Sequence, residues 1–214
     1  MPPKPKTEAE RQQLRSMILD AARELFVSKG VEAVTMREIA KHIGYSATSI
    51  YLHFADKEAV LRAILDADML ALASSLKAIF QIADPVERMQ ALGHGYAQFA
   101  LSYPNHYRLM FMAERTPCDP ATSSLQQNNA EQDAYFQLKT VVNDVYEAGR
   151  FRDELQNVDL IAQTIWAGVH GVCSLQINLA NDKWVNWSEI TARLALMQTV
   201  LIRGLLKNNN QDIL

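Results

Sequence analysis

Apolar positions in this chain recur at intervals of three and four residues, and no stretch alternates apolar with polar in twos. The pattern predicts an all-α protein. The first helix opens on Thr7-Glu-Ala-Glu10, a capping box in which threonine and glutamate satisfy each other's backbone donors. It carries Leu14, Ile18, Ala21, Ala22, Leu25 and Phe26 on one face, and Gly30 is placed to end it. Asp56 caps a long helix from about Lys57 to Phe80, with Val60, Leu61, Ile64, Leu65 and Leu72 on its apolar face. Asp84-Pro85-Val-Glu87 starts another helix that runs to about Tyr103, and Pro104 restarts the chain into residues 107–112. Residues 116–129 are rich in turn formers and predict a loop; a helix over about 130–148 follows, ending at Gly149. Residues 158–180 and 187–206, the second opened by Asn186 and Glu189, are apolar on more than one face. Such helices must be buried on most sides. A second copy of the same pair is the natural cover, which predicts a symmetric four-helix dimer interface.

Residues 35–54 read as two short helices around a tight turn. Thr35 and Glu38 form a second capping box, with Ile39, Ala40 and Ile43 at helical spacing behind it. Gly44 can adopt the left-handed conformation that ends a helix, and Ser46 can cap the next. Two helices so joined are the signature of a helix-turn-helix, whose second helix enters the DNA major groove.

Composition refines this picture little. The chain has 214 residues, 49% hydrophobic and 21% charged, enough for one or two domains with a sizeable core. Its formal net charge is −3, but residues 1–57 carry nine Lys or Arg against seven Asp or Glu, so the head is slightly basic and the remainder acidic. Phosphate contacts need local positive charge rather than a positive molecule. Residues 1–6, rich in Pro and Lys, read as a solvated tail. The start lacks the apolar segment of a secretory signal, and no apolar run is read as long enough to span a bilayer, so a cytoplasmic protein with no membrane partner is expected. Cys118 and Cys173 form no C-x-x-C pair, which argues against a disulfide framework; Cys173 is expected as an inert buried thiol.

Across residues 14–65 the chain resembles the TetR family of transcriptional regulators. The carrying residues include Ala21-Ala22, Leu25-Phe26, Gly30, Thr35, Ile39-Ala40, Gly44, Ser46, Ser49, Ile50 and the string Tyr51-Leu-His-Phe-Ala-Asp-Lys57. Ile165-Trp-Ala-Gly-Val-His-Gly171, with Tyr103-Pro104 and Tyr107-Arg-Leu-Met-Phe111, resembles the WHG type of that family's C-terminal domain. The resemblance implies a helix-turn-helix DNA-binding domain over residues 1–57 (core about 8–57). It implies a ligand-binding and dimerisation domain over residues 58–214. It also implies a homodimeric repressor on a palindromic operator, released by a small effector.

Ser46, Thr48, Ser49 and Tyr51 fall where groove-facing residues belong, while Ile50 and Phe54, at i and i+4, anchor that helix to the core. Thr35 and Tyr45 sit at helix starts, where hydroxyls and backbone donors can meet phosphate, and Arg37 and Lys57 add positive charge. The resemblance implies backbone contacts by Tyr51, His53 and Lys57. Ala47 stands where relatives often hold a longer polar residue; alanine can touch a thymine methyl but cannot donate a hydrogen bond. Candidates for lining an effector site are Phe80, Met89, Leu92, Tyr96, Phe99, Met110, Phe111, Tyr135, Phe136, Trp166 and His170, since such sites combine apolar walls with few polar handles. Filling the core is the alternative role for each.

A helical enzyme is the competing class. His42, His53, His94, His106 and His170 show no metal-ligand spacing, and no phosphate loop or nucleophile elbow is present. No cofactor, metal or catalytic residue is expected. A ligand-binding adaptor with a vestigial head is the other alternative.

Overall fold

The computed structural model describes residues 7–113 and 120–207. The tail 1–6, Cys118 and the start of the 116–129 segment lie outside the described residues. Among the described residues the chain is helical with no named strand: α1 (Glu8–Lys29), α2 (Met36–His42), α3 (Ala47–Tyr51), α4 (Lys57–Ser75), α5 (Pro85–Ser102), α6 (Pro104–Phe111), α7 (Ala134–Glu147), α8 (Val158–Leu179) and α9 (Ile190–Leu205). The capping boxes at Thr7 and Thr35 both form, and Asp84 accepts hydrogen bonds from the backbone N–H groups of Val86 and Glu87.

The chain divides into two compact units. The first comprises the described residues of Met1–Met69 and Asn105–Gln126; the second comprises those of Leu70–Pro104 and Gln127–Leu214. The core of the first unit gathers Leu14, Ile18 and Phe26 of α1, Ile39 of α2, Ile50 of α3, Val60 and Ile64 of α4, and also Leu109 of α6. Helix α6 therefore packs with the N-terminal helices although Leu70–Pro104, which belong to the second unit, intervene in the chain. Residues 123–124 join the same unit: Ser123 Oγ and Ser124 N–H donate to the Asp66 carboxylate, each at 2.7 Å.

In the second unit α5, α7, α8 and α9 pack against one another. Gly93 in α5 leaves room for the Gln198 amide of α9, which a Cβ at that position would crowd. Gln198 is buried and its amide donates to the Gln90 carbonyl at 3.3 Å. Cys173 is buried here as expected, and desolvation pushes its thiol up to about 11, which suppresses thiolate chemistry.

Three expectations are corrected. The helix expected to run from Lys57 to Phe80 stops at Ser75 and tightens into a 3-10 turn over Lys77–Gln81. The Gln137 amide, from α7, takes the Ala73 carbonyl at 3.0 Å, and Ser75 Oγ takes the Leu72 carbonyl at 2.7 Å. The Leu76 N–H then bonds to Ala73, three residues back. Second, the last helix begins at Ile190, not 187, and Glu189 stands at its N-cap without a side-chain cap bond. Third, among the described residues one helix, Val158–Leu179, is long and apolar enough to cross a membrane by length and composition, where none was expected. A core helix passes the same test, and Ile161, Ala162, Ile165, Val169 and Cys173 bury one face of α8 within the second unit.

Candidate DNA-reading helices and effector residues

The turn between α2 and α3 is built by backbone geometry. Gly44 adopts φ +72°, its N–H bonds to the Lys41 carbonyl at 3.2 Å, and the Tyr45 N–H bonds to the Ala40 carbonyl at 2.9 Å. This pair of bonds is a Schellman closure, for which glycine carries no Cβ penalty. Ser46 then caps α3, accepting from the Ser49 N–H at 3.2 Å, and the two serine hydroxyls lie 2.9 Å apart. Ile50 is fully buried and Phe54 nearly so, with the Arg15 guanidinium 5.1 Å from the Phe54 ring centroid. One side of α3 is thus fixed in the core.

The other side is open. Thr35, Arg37, Tyr45, Ser46, Thr48 and Tyr51 are exposed, Tyr51 by 53%, while Ser49 and His53 are half-buried. Thr35 has a structural task as well: its hydroxyl accepts from the Glu38 N–H at 3.3 Å, and its own N–H donates to the Glu38 carboxylate at 3.0 Å. Those bonds, the backbone one foremost, together with Lys29 hold the Glu38 carboxyl below its ordinary range. Lys57 is engaged within the unit, donating to the Val31 carbonyl at 2.9 Å. Ala47 is half-buried and packs against the core cluster. Sequence reasoning passed over Leu52, which stands 83% exposed immediately after Tyr51. An unpaired apolar residue between two candidate contacts was the available signal.

The effector candidates do not all fall in one unit. Met110 and Phe111 belong to the first, where Met110 is fully buried and the Phe111 ring lies 5.1 Å from that of Tyr107. Phe80, Met89, Leu92, Tyr96, Phe99, Tyr135, Phe136, Trp166 and His170 belong to the second. Met89, Leu92, Tyr96 and Phe99 are buried; Phe80, Tyr135, Phe136, Trp166 and His170 are half-buried. Met89, Gly93, Val169, Met197, Gln198 and Leu201 line an open cleft of about 20 Å³, room for about one water.

Trp166 and His170, one helical turn apart on α8, meet at Tyr96 of α5. Trp166 Nε1 donates to the Tyr96 hydroxyl at 3.0 Å, and that hydroxyl lies 3.2 Å from His170 Nδ1. The indole can only donate, so the tyrosine hydroxyl accepts from it while also lying within hydrogen-bond distance of the imidazole. Burial lowers the His170 pKa from its ordinary 6.5. The unfolded chain therefore binds this proton more readily than the folded one. His170 contributes stability in full above about pH 6.5 and loses it as pH falls through the lower folded value. Thermal melts across that range should show the decline, and His170→Gln should flatten it; an unchanged slope in the variant would exclude His170 as its source.

Sequence reasoning also missed a buried ion pair. Arg23 of α1 and Asp68 of α4 are 7% and 2% exposed and bonded to each other. The signal was present: each charge lies on an apolar face, Arg23 three residues before Phe26 and Asp68 midway between Ile64 and Leu72.

Comparisons with known proteins fit this geometry. Residues 18–64 match the family described as bacterial regulatory proteins, tetR family. Residues 89–184 match the tetracyclin repressor-like C-terminal domain. The HTH-type transcriptional repressor KstR2 of Mycobacterium tuberculosis is 31% identical over 163 residues, covering 72% of this chain and 79% of that protein. The solved structure of ketosteroid transcriptional regulator KstR2 from M. tuberculosis aligns over 95% of this chain and 98% of that one, with a TM-score of 0.64 and 23% identity. The fatty acid degradation regulator FadR of Bacillus halodurans aligns over 93% and 97%, with a TM-score of 0.68 and 20% identity. The chain belongs to the TetR family of bacterial transcriptional regulators.

Proposed function

We propose that this regulator is a cytoplasmic repressor. Two copies bind a palindromic operator through residues 1–57 of each, and a small apolar or aromatic effector bound by residues 58–214 releases them. The observation that carries the reading is the two-sidedness of α3: Ile50 and Phe54 are buried while Ser46, Thr48 and Tyr51 are exposed. A helix anchored on one side offers its polar side to the major groove, and a dimer places two such helices on successive half-sites. Phosphate contacts set the register, and base-edge contacts by Ser46 and Thr48 supply sequence preference. Regulators named for ketosteroids and for fatty acid degradation among the similar proteins support an apolar effector. Tyr96, Trp166 and His170 are the polar handles assigned to it. The effector acts by binding the operator-incompetent state more tightly, since equal affinity for both states would shift nothing.

Tyr51→Ala tests the DNA-facing assignment. A hydrogen bond to a charged phosphate is worth about 1.5–3 kcal/mol, so operator affinity should fall about tenfold or more. The melting temperature should hold, because the side chain is 53% exposed. Operator affinity equal to that of the unsubstituted protein in a salt titration would contradict the assignment.

A further inference from the structure

We propose that Arg23, Asp68 and His106 form a positioning cluster that makes the DNA-reading helices follow the effector-binding part of the chain. The proposal rests on the reading of the protein as a dimeric DNA-binding regulator. Arg23 Nε donates to Asp68 Oδ2 at 3.2 Å and Nη2 to Oδ1 at 2.8 Å, while Nη1 donates to Asp20 at 2.8 Å. This two-pronged geometry fixes direction as well as distance. His106 Nδ1 lies 2.9 Å from the same Asp68 Oδ1. An ionised carboxylate only accepts, so His106 carries its hydrogen on Nδ1 and donates it. One carboxylate of α4 thereby ties α1 to α6.

A desolvated ion pair of this kind adds little net stability over well-packed apolar residues of similar volume. Its directional bonds are what apolar packing would lack. Its place in the chain supplies the use. The backbone passes between the two units at Met69/Leu70, at Pro104/Asn105 and at Gln126/Gln127. Asp68 precedes the first passage by one residue, and His106 follows the second by one. Near the third, Ser123 and Ser124 donate to Asp66, two residues from Asp68 on the same helix. Side-chain bonds to residues 66–68 of α4 thus hold the chain beside all three passages. Through Arg23 they are fastened to α1, which packs against α2. A change of state in the effector-binding part can reach the first unit covalently only through these three passages. The cluster fastens the chain at all three passages to α1, and so fixes the presentation of α2 and α3.

The consequence concerns spacing. A head that follows its connections is held ready for the second half-site, whereas a loosened head must pay that ordering cost on binding. The experiment uses the full chain and two duplexes, one carrying a palindrome captured with the purified protein and one carrying a single half-site of it. His106→Ala should lower the preference for the palindrome about tenfold, a coupling of ordinary size, with half-site affinity unchanged. Arg23→Lys, which keeps the charge but not the two-pronged geometry, should do the same. His106→Asn, whose amide nitrogen can stand in for Nδ1, should restore the preference. An unchanged preference in both His106→Ala and Arg23→Lys would overturn the proposal. So would equal losses on both duplexes, which would mark a structural role alone. No binding of either duplex by the unsubstituted chain would instead overturn the regulator reading, and this proposal with it.

Discussion

Asp68→Ala should cost the first unit about 3–5 kcal/mol, because it strands the Arg23 guanidinium in the core. Burial alone would lower the pKa of that guanidinium, but hydrogen bonds and charge from Asp68 and then Asp20 raise it above its ordinary value. Asp20 remains in the variant, but it is exposed and bonds only Nη1. Replacing both partners by apolar residues, as in Arg23→Met with Asp68→Leu, should recover most of the loss, since no buried charge remains. Denaturant unfolding followed by a probe in the first unit measures both variants. A loss below about 1 kcal/mol in Asp68→Ala, the range of exposed pairs, would show that the pair is effectively solvated. The His106 variants should cost far less, because His106 is half-buried and its removal leaves the Arg23–Asp68 pair in place.

The second large effect concerns the dimer proposed through residues 158–180 and 187–206. Leu196 and Val200, one turn apart on α9, are 66% and 61% exposed, and Leu160, Leu175 and Leu179 of α8 are exposed as well. In a dimer these positions would be covered. Leu196→Asp with Val200→Asp should therefore leave the protomer folded and produce monomers, because burying an unpaired carboxylate costs several kcal/mol. The dimer dissociation constant should rise about a thousandfold or more. Leu201 is the poorer probe: a Cβ at Gly168 would lie 2.6 Å from its Cδ1, so it packs within the chain. Sedimentation decides the matter, and a doubly substituted protein that stays dimeric at the same concentration would remove these faces from the interface.

Local signals carried most of the fold. Thr7, Thr35, Asp84 and Gly44 act where their chemistry placed them, because caps and left-handed turns are settled by a few neighbouring residues. The apolar run expected over 158–180 became Val158–Leu179. What escaped depends on residues far apart in sequence. Helix α4 stops where an amide of α7 claims its carbonyl, and no local signal marks Ser75 as an end. Helix α6 joins the first unit through Leu109, which hydrophobic spacing alone cannot assign to one core or another. The candidate site divides the same way. The anchoring of Ile50 and Phe54 and the exposure of Ser46, Thr48 and Tyr51 follow from helical periodicity. The engagement of Lys57 with Val31, and the chain from Trp166 through Tyr96 to His170, join residues 26 to 74 positions apart or bridge two helices. A pattern of spacings cannot contain them.

The most direct measurement is a salt titration of the purified chain on a captured palindromic duplex and on a scrambled duplex of the same length. A dimeric repressor should bind the palindrome about 10³-fold or more tighter than the scrambled sequence, at two protomers per duplex. Both affinities should fall as salt rises, through release of phosphate counterions. Equal affinity for the two duplexes, or binding insensitive to salt, would contradict sequence-specific DNA recognition by α2 and α3.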